Sequence, residues 1–143
     1  MFEKFFNKKL RVDLGELNNS HDALVEMLDR MNERKAGMQS RRDLMLFPEL
    51  VWVNINKDVK VRRKKMRFGD HIVFEGILKK GGVFFEHFHD DSIESTEILF
   101  GSLKDLNDNN RVYKQHDVMH FEKNKVHTIV ALEDTELNII FKP

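Results

Sequence analysis

The sequence predicts an all-β barrel or sandwich preceded by a helical segment, and three observations carry that prediction. From Leu44 onward, short runs rich in Val, Ile and Phe are separated by turn signals at Lys57-Asp58, Gly69-Asp70, Lys80-Gly81-Gly82, Asp90-Asp91-Ser92, Asn107-Asp108-Asn109-Asn110 and Glu133-Asp134. No helical period interrupts this series, and the only convincing long helical pattern lies before it. The total of 143 residues fits one ordinary domain with little room for a second core.

Taken in order, the amino terminus MFEKFFNKKLRVDLGEL carries Glu3, Lys4, Lys8, Lys9 and Arg11, which break any apolar stretch before it reaches the length of an export-signal core. Phe2, Phe5, Phe6 and Leu10 are spaced for a short amphipathic helix. Residues 20–36 predict the long helix, with Leu24, Met27, Leu28 and Met31 on one stripe, Ser20 as N-cap and Gly37 just past the end. That stripe is narrow and Met-rich. Packing against the domain's own sheet is the first reading, and a partner or dimer helix the second. We therefore divide the chain into a helical extension, 1–43, and a β-domain, 44–143.

Charge is balanced, with 24 Lys plus Arg against 24 Asp plus Glu, so no whole-molecule field draws in nucleic acid or anionic lipid. Residues 57–67 (KDVKVRRKKMR) are locally basic, but Val59, Val61 and Met66 interleave with the charges as in a strand with one solvated face. With no helix-turn-helix pair and no aromatic-interleaved basic stripe, the sequence argues against a nucleic-acid partner. Zero cysteines exclude disulfides, thiolate ligands and Cys nucleophiles. The least polar segment, residues 44–56, contains Pro48 and Glu49 and falls short of the roughly 20 apolar residues a membrane span needs. The expected location is cytoplasmic.

The chemistry sits among the seven histidines. His87 and His89 lie two apart in a strand-like segment, so their side chains share a face with Cα atoms about 6.5–7 Å apart, and two imidazoles there can converge on one ion at about 2.1 Å each. The turn Asp90-Asp91-Ser92 can return Glu94 to the same point, and His127 stands in the later apolar run KVHTIVAL. Three imidazoles and a carboxylate suit Fe, Mn, Ni, Co or Zn, and an octahedral ion would keep two positions for water or substrate.

The spacing goes further. Gly81, His87, His89, Glu94 and Gly101 fill every fixed position of G-x5-H-x-H-x(3,4)-E-x6-G, and the segment resembles the first motif of the cupin family. The second motif, G-x5-P-x-G-x2-H-x3-N, falls on HDVMHFEKNKVHTIVA. There His127 keeps the ligand position, while His116, Glu122, Asn124 and Ala131 replace Gly, Pro, Gly and Asn. Asn124 is a mild change because Asn tolerates the left-handed backbone.

The resemblance covers residues 44–143. It implies a jelly-roll β-barrel that binds one divalent metal ion through His87, His89, Glu94 and His127. It also implies a small-molecule ligand or substrate and a homodimer, formed through sheet edges or the helix stripe. Cupins include dioxygenases and isomerases as well as non-catalytic sensors, so the fold does not choose the reaction. A metalloenzyme is the leading expectation and a metal-dependent binding or regulatory module the alternative. On this alignment strand parity puts Val83, Phe85, His87 and His89 inside and Phe84, Glu86 and Phe88 outside. Ile98, Phe100, Met119, Phe121 and Ile129 are the expected apolar lining, and His71, Glu75 and Tyr113 the candidate acids or bases near it.

Overall fold

The computed structural model describes residues 18–32, 37–65 and 69–143. Helix α1 (Asn18–Met31) comes first, then the three-residue strand β1 (Gly37–Gln39) and the single helical turn α2 (Arg41–Leu44). Ten further strands follow: β2 (Trp52–Asn56), β3 (Val59–Arg63), β4 (Ile72–Leu78), β5 (Val83–His89), β6 (Ile93–Phe100), β7 (Ser102–Asp105), β8 (Arg111–Lys114), β9 (Val118–Phe121), β10 (His127–Ala131) and β11 (Thr135–Lys142). Each of the six turn signals falls between two of these strands.

The strands form two sheets, ordered β1-β5-β10-β7-β8 and β2-β3-β4-β11-β6-β9. This is the jelly-roll architecture, although the two ladders stay separate and do not close into one hydrogen-bonded barrel. Burial alternates with period two along β4 and β11, which pair antiparallel over seven register positions in the middle of the second sheet. The inward residues make a core with edge-on ring contacts from Phe47 to Phe74 and from Phe74 to Phe141, at 5.1 and 5.9 Å between centroids.

Helix α1 belongs to that core. Leu24, Met27 and Leu28 are buried, and Met31 reaches the central cavity. The stripe therefore packs within its own chain. The helix is shorter than 20–36: it ends at Met31, Ser20 lies inside it, and Gly37 opens β1. Phe2, Phe5, Phe6, Leu10 and Met66 lie outside the described residues. The segment just after residue 40 is helical, and Ser40 caps α2: its Oγ accepts from the Asp43 N–H at 3.2 Å, and its own N–H donates to Asp43 Oδ2 at 3.0 Å.

On β3 the basic residues divide by parity. Lys60 and Arg62 face outward over the Trp52 ring at 5.2 and 4.7 Å, as a solvated face requires. Arg63 is buried instead, donating from Nε to the Phe47 carbonyl at 2.7 Å.

Two of the short connections that carry the chain between sheets flank β6 and so position the site. Asp90-Asp91-Ser92 crosses from β5 to β6, held by the Arg41 N–H donating to Asp91 Oδ1 at 2.8 Å. Gly101 alone joins β6 to β7, with φ +93° and Thr135 folded against it.

Candidate metal centre

His87 and His89 on β5, Glu94 on β6 and His127 on β10 come together, all buried, with one potential ligand atom from each lying within 4.8 Å of the others. His127 is the register partner of His87 across the β10–β5 ladder, and Glu94 reaches in from the opposite sheet. The ring centroids of His87 and His127 are 4.2 Å apart, and those of His87 and His89 are 5.1 Å apart. Phe121 stacks on His127 at 4.0 Å and Phe141 meets His89 at 4.8 Å, so aromatic walls fix both rings.

Backbone carbonyls orient two of the imidazoles. His87 Nδ1 donates to the Phe85 carbonyl at 2.7 Å and His127 Nδ1 donates to the Lys125 carbonyl at 2.8 Å. A carbonyl only accepts, so each Nδ1 carries a proton, and in the neutral ring Nε2 keeps the lone pair. His127 Nε2 lies 3.4 Å from Glu94 Oε1 and is buried without a hydrogen bond; His89 Nδ1 is likewise buried without a partner. Glu94 is held from both sides, accepting from His89 Nε2 at 3.0 Å on Oε1 and from the Thr96 hydroxyl at 2.7 Å on Oε2.

These contacts set the charges. Burial, then the neighbouring His127 and His89, push the His87 pKa well below its usual value, so His87 is neutral. Burial alone would raise Glu94, but the neighbouring His127, and then the hydrogen-bonded His89, outweigh it and hold the carboxyl well below its usual range. Burial opposes charge on His127 too, yet Glu94 prevails and raises its pKa. The donor set therefore offers one carboxylate, the neutral imidazole of His87 and buried nitrogen that has no hydrogen-bond partner at His89 Nδ1 and His127 Nε2. This fits a divalent ion of the Fe, Mn, Ni, Co and Zn group.

A cavity of about 50 Å³ opens from the cluster, walled chiefly by apolar side chains such as Phe47, Phe74, Phe84, Met119, Phe121 and Ile129. Met119, Phe121 and Ile129 thus stand where parity put them. Ile98 is fully buried core behind the wall. Phe85 and Phe100 do not line the cavity, and both corrections have the same cause. Between the His127–His87 and Ile129–Phe84 pairs, β5 spends three residue steps against two on β10, a bulge that turns Phe84 inward, while the Phe85 carbonyl accepts from His87 Nδ1. Between the Leu137–Ile98 and Glu136–Phe100 pairs, β6 carries an extra residue, and Phe100 ends 54% exposed.

None of His71, Glu75 and Tyr113 reaches the cluster. His71 is exposed, Glu75 is paired to Arg62 at 2.6 Å and Lys64 at 3.5 Å on the outer face, and Tyr113 sits on edge strand β8 under Arg111. Sequence reasoning missed Thr96, although it lies two residues from Glu94 on the same strand face. It also missed Gln39, for which no signal existed.

All four glycine positions of the two motifs have positive φ, whatever residue occupies them: Gly81 at +84°, Gly101 at +93°, His116 at +74° and Asn124 at +65°. The replacements keep the backbone that the pattern requires. The Asn124 N–H then donates to the His89 carbonyl at 2.7 Å, tying the loop before His127 to β5.

No protein-family model and no curated protein matches the sequence. Solved structures do match the fold. KdgF from Halomonas sp. superposes with a TM-score of 0.59 at 18% identity, covering 65% of this chain and 86% of its own. An RmlC-like cupin from Shewanella frigidimarina gives 0.58 at 15% identity, covering 68% and 89%. Oxalate decarboxylase from Bacillus subtilis, a protein with Mn(II) centres, gives 0.51 at 22% identity, covering 60% of this chain and 26% of its own. The chain has the cupin fold.

Proposed function

We propose that this chain binds one divalent metal ion through His87, His89, Glu94 and His127 and acts as a metalloenzyme on a small oxygenated molecule, of dioxygenase or isomerase type. The observation that carries the reading is the buried four-residue cluster, whose His87 and His127 rings are oriented by carbonyls so that Nε2 is available. The cupin fold, shared with structures that include the Mn(II) protein oxalate decarboxylase, supports it. The ion would supply Lewis acidity, polarising a bound oxygen group or activating dioxygen beside it. The chain's own residues orient the donors, give the site its single negative charge through Glu94, and exclude bulk water with the apolar wall.

One observation favours a second reading. Besides the proposed ligands, the polar side chains lining the cavity among the described residues are Gln39 and Thr96, and neither is an acid or base for proton transfer. Either the ion and its ligands perform the chemistry alone, or the chain is a metal-dependent binding or regulatory module. Glu94→Gln separates the two. It removes the charge while keeping an oxygen donor, so after metal occupancy is matched it is expected to lower turnover of a small carbonyl, enol or hydroxy-acid substrate by about 10²-fold while changing ligand affinity by less than tenfold. Wild-type turnover in that variant would remove the ion from catalysis. Metal-dependent binding without turnover of any compound in such a panel would select the module.

The same charges set a pH dependence. A ligand imidazole must be neutral, so the proton favoured on His127 by Glu94 competes with the ion. Because the His127 pKa is raised, the competition starts above the usual His value of 6.5. Affinity is expected to weaken by about tenfold per pH unit below that raised pKa, as metal titrations between pH 8 and 6 would read. A flat profile would contradict the assignment of His127.

Among the described residues no helix is long and apolar enough to cross a membrane. A homodimer stays part of this proposal. Since Leu24, Met27 and Leu28 are buried within the chain, it would form through an exposed strand edge such as β8.

A further inference from the structure

Among the described residues that line the cavity, one polar side chain is used by neither the ligand cluster nor its supports. Gln39 is 5% exposed, lines the cavity and stands beside His89 as its partner in the parallel β1–β5 pair, so the two side chains share a face. Its amide nitrogen is placed against two thioether sulfurs of α1, Met31 Sδ at 3.3 Å and Met27 Sδ at 3.8 Å. Sulfur of this kind is a weak acceptor, so this buried amide spends little of its donor capacity on its neighbours. The other polar groups of the lining are already engaged: His87 and His127 through Nδ1, and Thr96 with Glu94. Among the described residues no Lys or Arg lines the cavity.

We propose that Gln39 is the specificity-determining residue of the site, hydrogen-bonding an uncharged hydroxyl or carbonyl group on a small, otherwise hydrocarbon molecule whose other end reaches the metal. The inference rests on the metal reading above and adds the substrate class to it. A second anionic group on such a molecule would meet no cation among the described residues of the apolar wall and would have to give up its hydration unpaired, which disfavours dicarboxylates and phosphate esters. An uncharged oxygen loses far less on entry, and Gln39 supplies its partner. The cavity volume of about 50 Å³ limits the body to a few carbon atoms.

The test uses the Zn(II)-loaded full-length chain and three hydroxamates that bind the ion through the same two oxygens but differ at the tail: butyrohydroxamate, 4-hydroxybutyrohydroxamate and succinic monohydroxamate. By calorimetry the hydroxyl tail is expected to bind about tenfold tighter than the apolar one, and the carboxylate tail weakest. Gln39→Leu keeps the bulk and should erase the hydroxyl preference while leaving butyrohydroxamate affinity and zinc stoichiometry unchanged. Should that variant not fold, the side-chain amide resonances of Gln39 in the wild type give the answer: they should shift saturably with the hydroxyl probe and much less with the apolar one. Zinc uptake with equal affinity for all three tails, tightest binding of the carboxylate, or a hydroxyl preference that survives Gln39→Leu would overturn this inference alone. Failure to take up zinc would overturn the metal reading and this inference with it.

Discussion

Replacing His87 and His127 together by alanine is expected to weaken binding of a divalent ion by about 10³-fold or more. Apparent zinc affinities of four-ligand sites correspond to about 10–16 kcal/mol, so two of four ligands account for roughly half of that free energy. The variant should still fold. Each deleted imidazole leaves a void, at about 1–3 kcal/mol, but Glu94 keeps Thr96 and His89 as partners and is not stranded as a lone buried charge. Elemental analysis beside a thermal melt reads both effects, with His120→Ala as the control because His120 is exposed and paired with Glu122. Stoichiometric metal retained in the double variant would sink the ligand assignment.

Gly101→Ala is expected to destabilise the fold by about 3–5 kcal/mol, lowering the melting temperature by about 10 °C or more. Two causes add. The residue holds φ +93°, where an L side chain is strained, and a Cβ there would lie 2.4 Å from Thr135 Oγ1 and 2.5 Å from the Asp134 carbonyl. Thr135 cannot simply move away, since its hydroxyl is engaged with Ser102 N and O at 3.2 Å and so holds the corner where the chain changes sheet. Gly81 is the comparison. It has φ +84° but open space around its Cα, so Gly81→Ala should cost only about 1 kcal/mol. Equal losses for the two substitutions in chemical denaturation would show that the corner tolerates a side chain.

Most of the four-residue cluster was legible because its spacing is governed by local geometry. Residues two apart on a strand share a face, and a three-residue turn returns the chain within reach, so His87, His89 and Glu94 could be placed without knowing the topology. Turn residues likewise announced most strand boundaries. What stayed hidden depends on partners distant in sequence. The bulge that turns Phe84 rather than Phe85 toward the cavity exists because β5 and β10 step unequally between their paired residues, which no periodicity within β5 alone reveals. Strand β1 is three residues long and takes its identity from parallel pairing with β5, so Gln39 carried no sign of its position. Phe100 reads as inward by simple alternation, and its exposure comes from the extra residue opposite β11. At His116 and Asn124 the reverse holds: the residue types depart from the motif, while the backbone keeps its left-handed turns.

The claim on which the functional reading depends is that four buried side chains hold an ion. Anaerobic purification of the wild-type chain, followed by elemental analysis, tests it most directly. The account predicts about one equivalent per chain of Fe, Mn, Ni, Co or Zn, or uptake of one equivalent when those ions are supplied and the excess removed. Metal-free protein that takes up none of the five at pH 8 would contradict it.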